Sequence, residues 1–190
     1  MSGTLTPAPA HPEDPFDLDF TSLVDGPAEP PPPPPTPEIR ENALIGTSAL
    51  GEDGFHVVLV RPRGGSPSNH VVMIVDDDAP TAELASHVLR KAGYQTVVAL
   101  GPREAARLMS RVGAPELLLL DVEMPDMNGL EFLRRVRRHK RLFDTPVVLF
   151  TAHAEQDDIV HGLQAGADGY IAKPITASAL VAAVRTVLGH

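Results

Sequence analysis

The chain has 190 residues, no cysteine and a formal net charge of −9. That length suits one ordinary domain with chain to spare, and the lack of thiols excludes a disulfide framework and any thiolate metal site. Residues 1–69 carry ten acids and three arginines, for −7, and residues 70–190 carry fifteen acids and thirteen bases, for −2, which disfavours nucleic acid as the main partner.

The first twenty residues hold no Lys or Arg and no long apolar run, which argues against a signal peptide. No stretch approaches the roughly 18 apolar residues of a membrane span, so a cytoplasmic protein is expected. Twelve of the twenty prolines lie in residues 1–40, including an unbroken run at 30–35. Such a run lacks backbone donors and favours polyproline II, so it reads as a stiff spacer before it reads as an SH3-type ligand. Phe16, Leu18, Phe20, Leu23 and Val24 are interspersed with Asp14, Asp17, Asp19 and Asp25. This is the pattern of a peptide that folds on a partner, although a plain tail is the simpler reading. Residues 1–69 are expected to be a disordered, acidic, Pro-rich extension and linker. Residues 55–60 are a candidate short strand ended by Arg61-Pro62, and the Gly/Ser/Pro stretch at 64–68 is flexible.

From Val71 short apolar runs alternate with amphipathic stretches. The runs fall at 71–75, 95–99, 117–120, 147–150 and 170–172. Four are nearly continuous in Val, Leu and Ile, as strands buried on both faces should be. Leu84, Val88 and Leu89 mark one helix face, stopped by Gly93. Leu130, Leu133 and Val136 mark another, and Leu180, Val184, Val187 and Leu188 the last. Asp78 should cap the first of these helices, with Pro80 in its first turn. Five β-then-α pairs predict an α/β domain over 70–190. It would be a doubly wound, flavodoxin-like five-stranded parallel sheet of order 2-1-3-4-5.

The chemistry-bearing residues fall at strand ends. Asp76 and Asp77 follow the first strand, Asp121 ends the third, Thr151 the fourth and Lys173 the fifth. Ligands of an open parallel sheet bind outside its carboxyl ends at a topological switch point, and the expected order brings the three aspartates together there. At about 4 Å and an effective dielectric near 20, each close carboxylate pair costs roughly 4 kcal/mol. A hard cation such as Mg²⁺, which uses one or two carboxylates plus phosphate oxygens, relieves that cost. Lys173 adds a point charge. Asp121 can then act as a nucleophile toward a phosphoryl donor, and the Thr151 hydroxyl can bond the product.

The segments VMIVDDD, LLLLDVEMPDMNG, VVLFTAH and GYIAKP, in this order and with successive steps of 45, 30 and 22 positions from Asp76 to Asp121, Thr151 and Lys173, resemble the signatures of response-regulator receivers. The resemblance covers residues 70–189. It implies Asp76 and Asp77 as the metal-binding acids, Asp121 as phosphoacceptor and metal ligand, and the Glu123 backbone carbonyl as a further ligand. It also implies Thr151 and Tyr170 as switch residues, Lys173 as the phosphate-contacting lysine, and a cis Lys173–Pro174 peptide. Glu123 and His153 would flank the phosphoryl group. The ring of Tyr170 would turn inward as Thr151 is drawn to that group. This would remodel the face made by the fourth helix, fifth strand and fifth helix.

The expected function is that of a two-component response regulator. It takes phosphate from a sensor histidine kinase or phosphotransfer protein and signals to an unknown output protein, or by homodimerisation. It would not be an enzyme beyond its own phosphorylation and dephosphorylation. With the chain stopping after the fifth helix, no DNA-binding output domain, nucleic-acid partner or membrane is expected. A scaffold whose N-terminal extension carries the main interaction is the alternative. The basic run Arg134, Arg135, Arg137, Arg138, Lys140 and Arg141 reads as a solvated face at a helix C-terminus, and His87, His139 and His161 as scattered residues.

Overall fold

The computed structural model describes residues 20–25, 33–152 and 155–190. Five parallel strands lie where the apolar runs predict them: β2 (Val71–Val75), β3 (Gln95–Ala99), β4 (Leu117–Leu120), β5 (Val147–Thr151) and β6 (Gly169–Ala172). Their order, β3-β2-β4-β5-β6, is the expected 2-1-3-4-5. The sheet nevertheless has six strands, not five. β1 (Phe55–Val57) pairs antiparallel with β6, placing Phe55 opposite Ile171 and His56 opposite Tyr170.

Alternate residues of each parallel strand enter different cores. Val72, Ile74, Leu117, Leu119 and Val148 meet α3 (Ala79–Lys91) and α7 (Ala177–Leu188) on one face. Met73, Val75, Leu118, Leu120 and Leu149 meet α4 (Pro102–Val112), α5 (Gly129–Arg138) and α6 (Gln156–Ala165) on the other. Burial on both faces is why these strands are continuously apolar. Asp78 caps α3 by accepting the Thr81 N–H at 3.2 Å, with Pro80 in the first turn. The predicted stripe of α3 is only partly right. Leu84 is 65 % exposed, and Ala82, Ala85 and Leu89 face the core instead. The last helix buries Leu180, Val184, Val187 and Leu188 as expected.

Within the stretch assigned to a disordered extension, the structure describes ordered elements. The short helix α1 (Ser22–Asp25) lies against α4 and α5, with Phe20 and Leu23 fully buried. Phe20 stacks near His139, and Arg135 donates to the Leu23 carbonyl at 3.4 Å. Phe16 and Leu18 of the same pattern, and residues 30–32 of the proline run, lie outside the described residues. The helix α2 (Pro37–Asp53) starts at Thr36, whose hydroxyl accepts the Ile39 N–H. It stops at Gly54, a left-handed residue. Ile39, Ala43, Gly46 and Leu50 face inward, and α2 packs on α6. Thr36-Pro37 at one end and glycine at the other are ordinary helix punctuation. Alanine and glycine in its stripe conceal the apolar period.

Residues 54–63 follow the sheet edge rather than hanging free. Ala172 donates to the Gly54 carbonyl, Val58 and Leu59 to that of Asp168, Arg61 to Val187 and Arg63 to Leu188. No helix among the described residues is long and apolar enough to cross a membrane.

Candidate functional site

The carboxyl ends of β2, β4, β5 and β6 converge on one crevice. Asp76 leaves β2 with its backbone N–H on the Ala99 carbonyl, and Asp121 leaves β4 with its N–H on the Val75 carbonyl. These bonds tie both aspartates to neighbouring strand ends, so their positions come from the sheet and not from a loose loop. Asp76, Asp77 and Asp121 each offer a carboxylate oxygen within 4.8 Å of the others. Asp76 is 1 % and Asp121 7 % exposed, and Asp77 faces solvent. Glu123 lines the open crevice with Asp77, Asp121, Met124 and Asn128.

One cation sits among the acids. The Lys173 ammonium donates to Asp76 Oδ2 at 2.7 Å and lies 3.2 Å from Asp121 Oδ1. Its position is set by the Lys173 N–H bond to the Thr151 carbonyl and by the Phe150 ring, 4.9 Å from the ammonium. The Lys173–Pro174 peptide is cis, as expected. Burial pushes the Asp121 carboxyl above its ordinary range. Lys173 pulls it back and Asp76 pushes it further up. Three clustered acids, two of them paired with one ammonium, form a site short of positive charge, which is the donor set a hard cation takes.

A tight turn builds the rim. The Gly129 N–H donates to the Val122 carbonyl at 2.8 Å, and a Cβ on Gly129 would overlap the Asp121 carbonyl. Only glycine lets α5 start this close to the central acid. Asn128 caps that helix through the Leu130 N–H at 2.8 Å.

Thr151 is buried at the last position of β5. Tyr170 is buried too, beneath α6, and its hydroxyl faces the carbonyls of Asp158 at 2.8 Å and Ile159 at 3.2 Å. A Cβ on Gly162 would overlap that hydroxyl and Leu149, so the hollow holding the ring exists because α6 carries glycine there. Burial pushes the phenol well above its usual range, so it stays a donor. His153 lies outside the described residues.

Sequence reasoning missed Gly129, Gly162 and Asp168. A glycine inside a helical pattern was the available signal for Gly162. Asp168 precedes β6 at the opposite end of the sheet from Lys173. It accepts Arg61 Nε at 2.7 Å, Arg137 Nη2 at 2.7 Å and the Val147 N–H at 2.8 Å. The basic run is therefore not simply a solvated face. Arg137 turns in to Asp168, and the buried Arg135 bonds Glu131 at 2.6 Å.

Known proteins resemble this chain in sequence and fold. Residues 72–185 match the family model of the response regulator receiver domain. The phosphate regulon transcriptional regulatory protein PhoB of Pseudomonas aeruginosa is 39 % identical over 118 residues, 62 % of this chain and 51 % of that protein. The DNA-binding response regulator MtrA of Mycobacterium leprae is 41 % identical over 117 residues, 62 % of this chain and 50 % of that protein. The chain thus spans about half the length of these relatives. Among solved structures, a putative response regulator from Chloroflexus aurantiacus superposes with a TM-score of 0.60 at 35 % identity, covering 64 % of this chain and 98 % of that one. The Vibrio cholerae chemotaxis protein CheY4 superposes with a TM-score of 0.59 at 30 % identity, covering 63 % and 98 %.

Proposed function

Because the chain belongs to the response regulator receiver family of two-component signalling, we propose that it accepts a phosphoryl group on Asp121 and signals through a change in protein–protein contacts. The observation that carries this reading is the cluster of Asp76, Asp77 and Asp121, with oxygens within 4.8 Å, facing the single ammonium of Lys173.

Asp76, Asp77, Asp121 and the Glu123 backbone carbonyl are the ligands suited to Mg²⁺, which when bound offsets the charge of the acids and of an incoming phosphoryl group. The chain's own residues do the rest. The donor is a phosphohistidine on a sensor kinase or phosphotransfer protein. An Asp121 oxygen attacks its phosphorus, the P–N bond breaks, and imidazole leaves with the electron pair. An acyl phosphate forms on Asp121. Lys173 meets one of the phosphoryl oxygens and the Thr151 hydroxyl another. Tyr170 reports the movement of Thr151 to the face made by α6, β6 and α7. The only covalent chemistry is gain and loss of that phosphoryl group, in the cytoplasm. Intact mass after treatment with a small phosphoramidate donor and Mg²⁺ tests the assignment. One added phosphoryl group is expected in the native chain and none in Asp121→Asn; an equal gain in both would overturn it.

A second reading has an observation behind it. The two relatives reported above are named as a transcriptional regulator and a DNA-binding regulator, and DNA-binding output would then lie in the half of such proteins that this chain does not match. The −7 charge of residues 1–69 favours protein partners for the chain itself. A mobility-shift assay with the phosphorylated chain separates the two readings.

A further inference from the structure

The face made by α6, β6 and α7 is already covered by the chain itself. β1 runs along the β6 edge with His56 opposite Tyr170, and α2 lies along α6. The contact is close. A Cβ on Gly46 would press on the His56 ring and reach Ile159 of α6 at 3.5 Å. From beneath, the Tyr170 hydroxyl bonds the Asp158 and Ile159 carbonyls in the first turn of the same helix. Ile159 is therefore held from two sides, by α2 and by Tyr170. The helix itself starts at Gln156, five residues after Thr151. One element thus meets the extension and the tyrosine and follows in sequence the strand that carries Thr151.

We propose that residues 37–57 are an intrachain ligand of the α6–β6 face whose docking is coupled to the inward position of Tyr170, so that the segment biases the receiver toward the state that phosphorylation of Asp121 favours. The inference rests on the Thr151–Tyr170 reading above. Docked segment and inward ring occur together in this structure, and both constrain α6 through Ile159. A ligand shifts an equilibrium only by its differential affinity for the two states, and the coupling between two ligands is reciprocal. Docking of α2 therefore strengthens the hold on a phosphoryl group, and a phosphoryl group strengthens docking of α2. A second protein that reads the β6 edge has to displace β1, because that edge's backbone groups are already paired.

The test uses the full chain. Tyr94→Phe leaves Tyr170 as the one tyrosine of a protein without tryptophan, so tyrosine fluorescence then reports Tyr170 alone. In that background Gly46→Leu and Ala43→Glu are chosen to lift α2 without touching the acidic crevice. Amide exchange follows the release of residues 39–50, and unchanged protection in β2 and β4 shows that the sheet is intact. Acrylamide quenching of Tyr170 is expected to rise in both variants. Their affinity for beryllofluoride with Mg²⁺ is expected to fall about fivefold or more. Tyr170 remaining protected once α2 exchanges freely, or beryllofluoride binding as in the parent, would overturn the coupling. The quenching experiment involves no phosphoryl chemistry. A chain that took no phosphate on Asp121 would defeat the proposed function and still leave the coupling of α2 to Tyr170 tested.

Discussion

Buried aspartates sit at opposite ends of the same sheet and come to opposite ends chemically. At the carboxyl end, Asp76 and Asp121 share the ammonium of Lys173, with the Asp77 carboxylate beside them. At the other end, Asp168 alone takes two guanidinium groups and a backbone N–H. Residue type and burial are alike, with Asp76 and Asp168 both 1 % exposed. The number of donors differs. An acid with three donors on its two oxygens fixes structure, here by tying the Arg61 segment and α5 to the start of β6. Acids that outnumber their cations keep charge in reserve for a ligand. A buried aspartate is thus informative only together with its donors.

The largest expected effect is at the under-neutralised end. Asp121→Asn should lose phosphorylation altogether, as read by intact mass, while Asp168→Asn should keep it wherever the protein stays folded. Next comes Asp168→Ala, which strands Arg61 and Arg137 beside a buried gap. Removing one partner of a buried ion pair typically costs about 3–5 kcal/mol, and urea unfolding should show a loss of that order. A loss under about 1 kcal/mol would mean that the Asp168 network is not what holds this end together.

Smaller is the cost of Gly162→Ala. Its Cβ would overlap the Tyr170 hydroxyl and Leu149, and overpacking of this kind costs about 1–3 kcal/mol. Tyr170 should leave its hollow and become open to quenching. A variant as stable as the parent with Tyr170 still protected would show that α6 shifts instead. A chain trimmed to residues 70–190 keeps the five parallel strands and the whole crevice and should fold. It loses Arg61 from Asp168 and bares the β6 edge, so its melting temperature should fall below that of the full chain. Loss of cooperative unfolding would place residues 54–63 inside the minimal folded unit.

The smallest effect carries a definite sign. Burial raises the Asp121 carboxyl, so the folded state holds that proton to higher pH than the unfolded chain does. Between the ordinary carboxylate value and the raised one, the folded state binds more protons, and stability falls as pH rises through that window. The deficit persists at neutral pH. Asp121→Asn should therefore melt higher than the parent at pH 7 in chelator, and the gap should close as pH drops below the carboxylate range. A lower melting temperature for Asp121→Asn at pH 7 would contradict the crowded-acid account.

Much of the site was readable in advance because it is written locally. Asp76, Asp121, Thr151 and Lys173 stand at the ends of apolar runs, and the order of those runs in a doubly wound sheet brings their ends together. The five parallel strands followed from the same runs. The extension was harder to read, for a physical reason. Proline content and acidity describe the average of residues 1–69, whereas docking depends on a few positions. Phe20 and Leu23 find a groove between α4 and α5, and the stripe of α2 contains Ala43 and Gly46, which carry almost no hydropathy signal and work by letting helices approach.

The amino-acid sequence by itself determined the (βα)₅ order and the acidic crevice, because both depend on backbone periodicity and on residues placed at strand ends. Only the tertiary structure decided that β1 adds a sixth, antiparallel strand, that Asp168 rather than solvent receives Arg61 and Arg137, and that Tyr170 lies in a hollow left by Gly162. Each of these pairs residues far apart in the chain. Which donor reaches which acceptor there depends on distances and burial that no local pattern encodes.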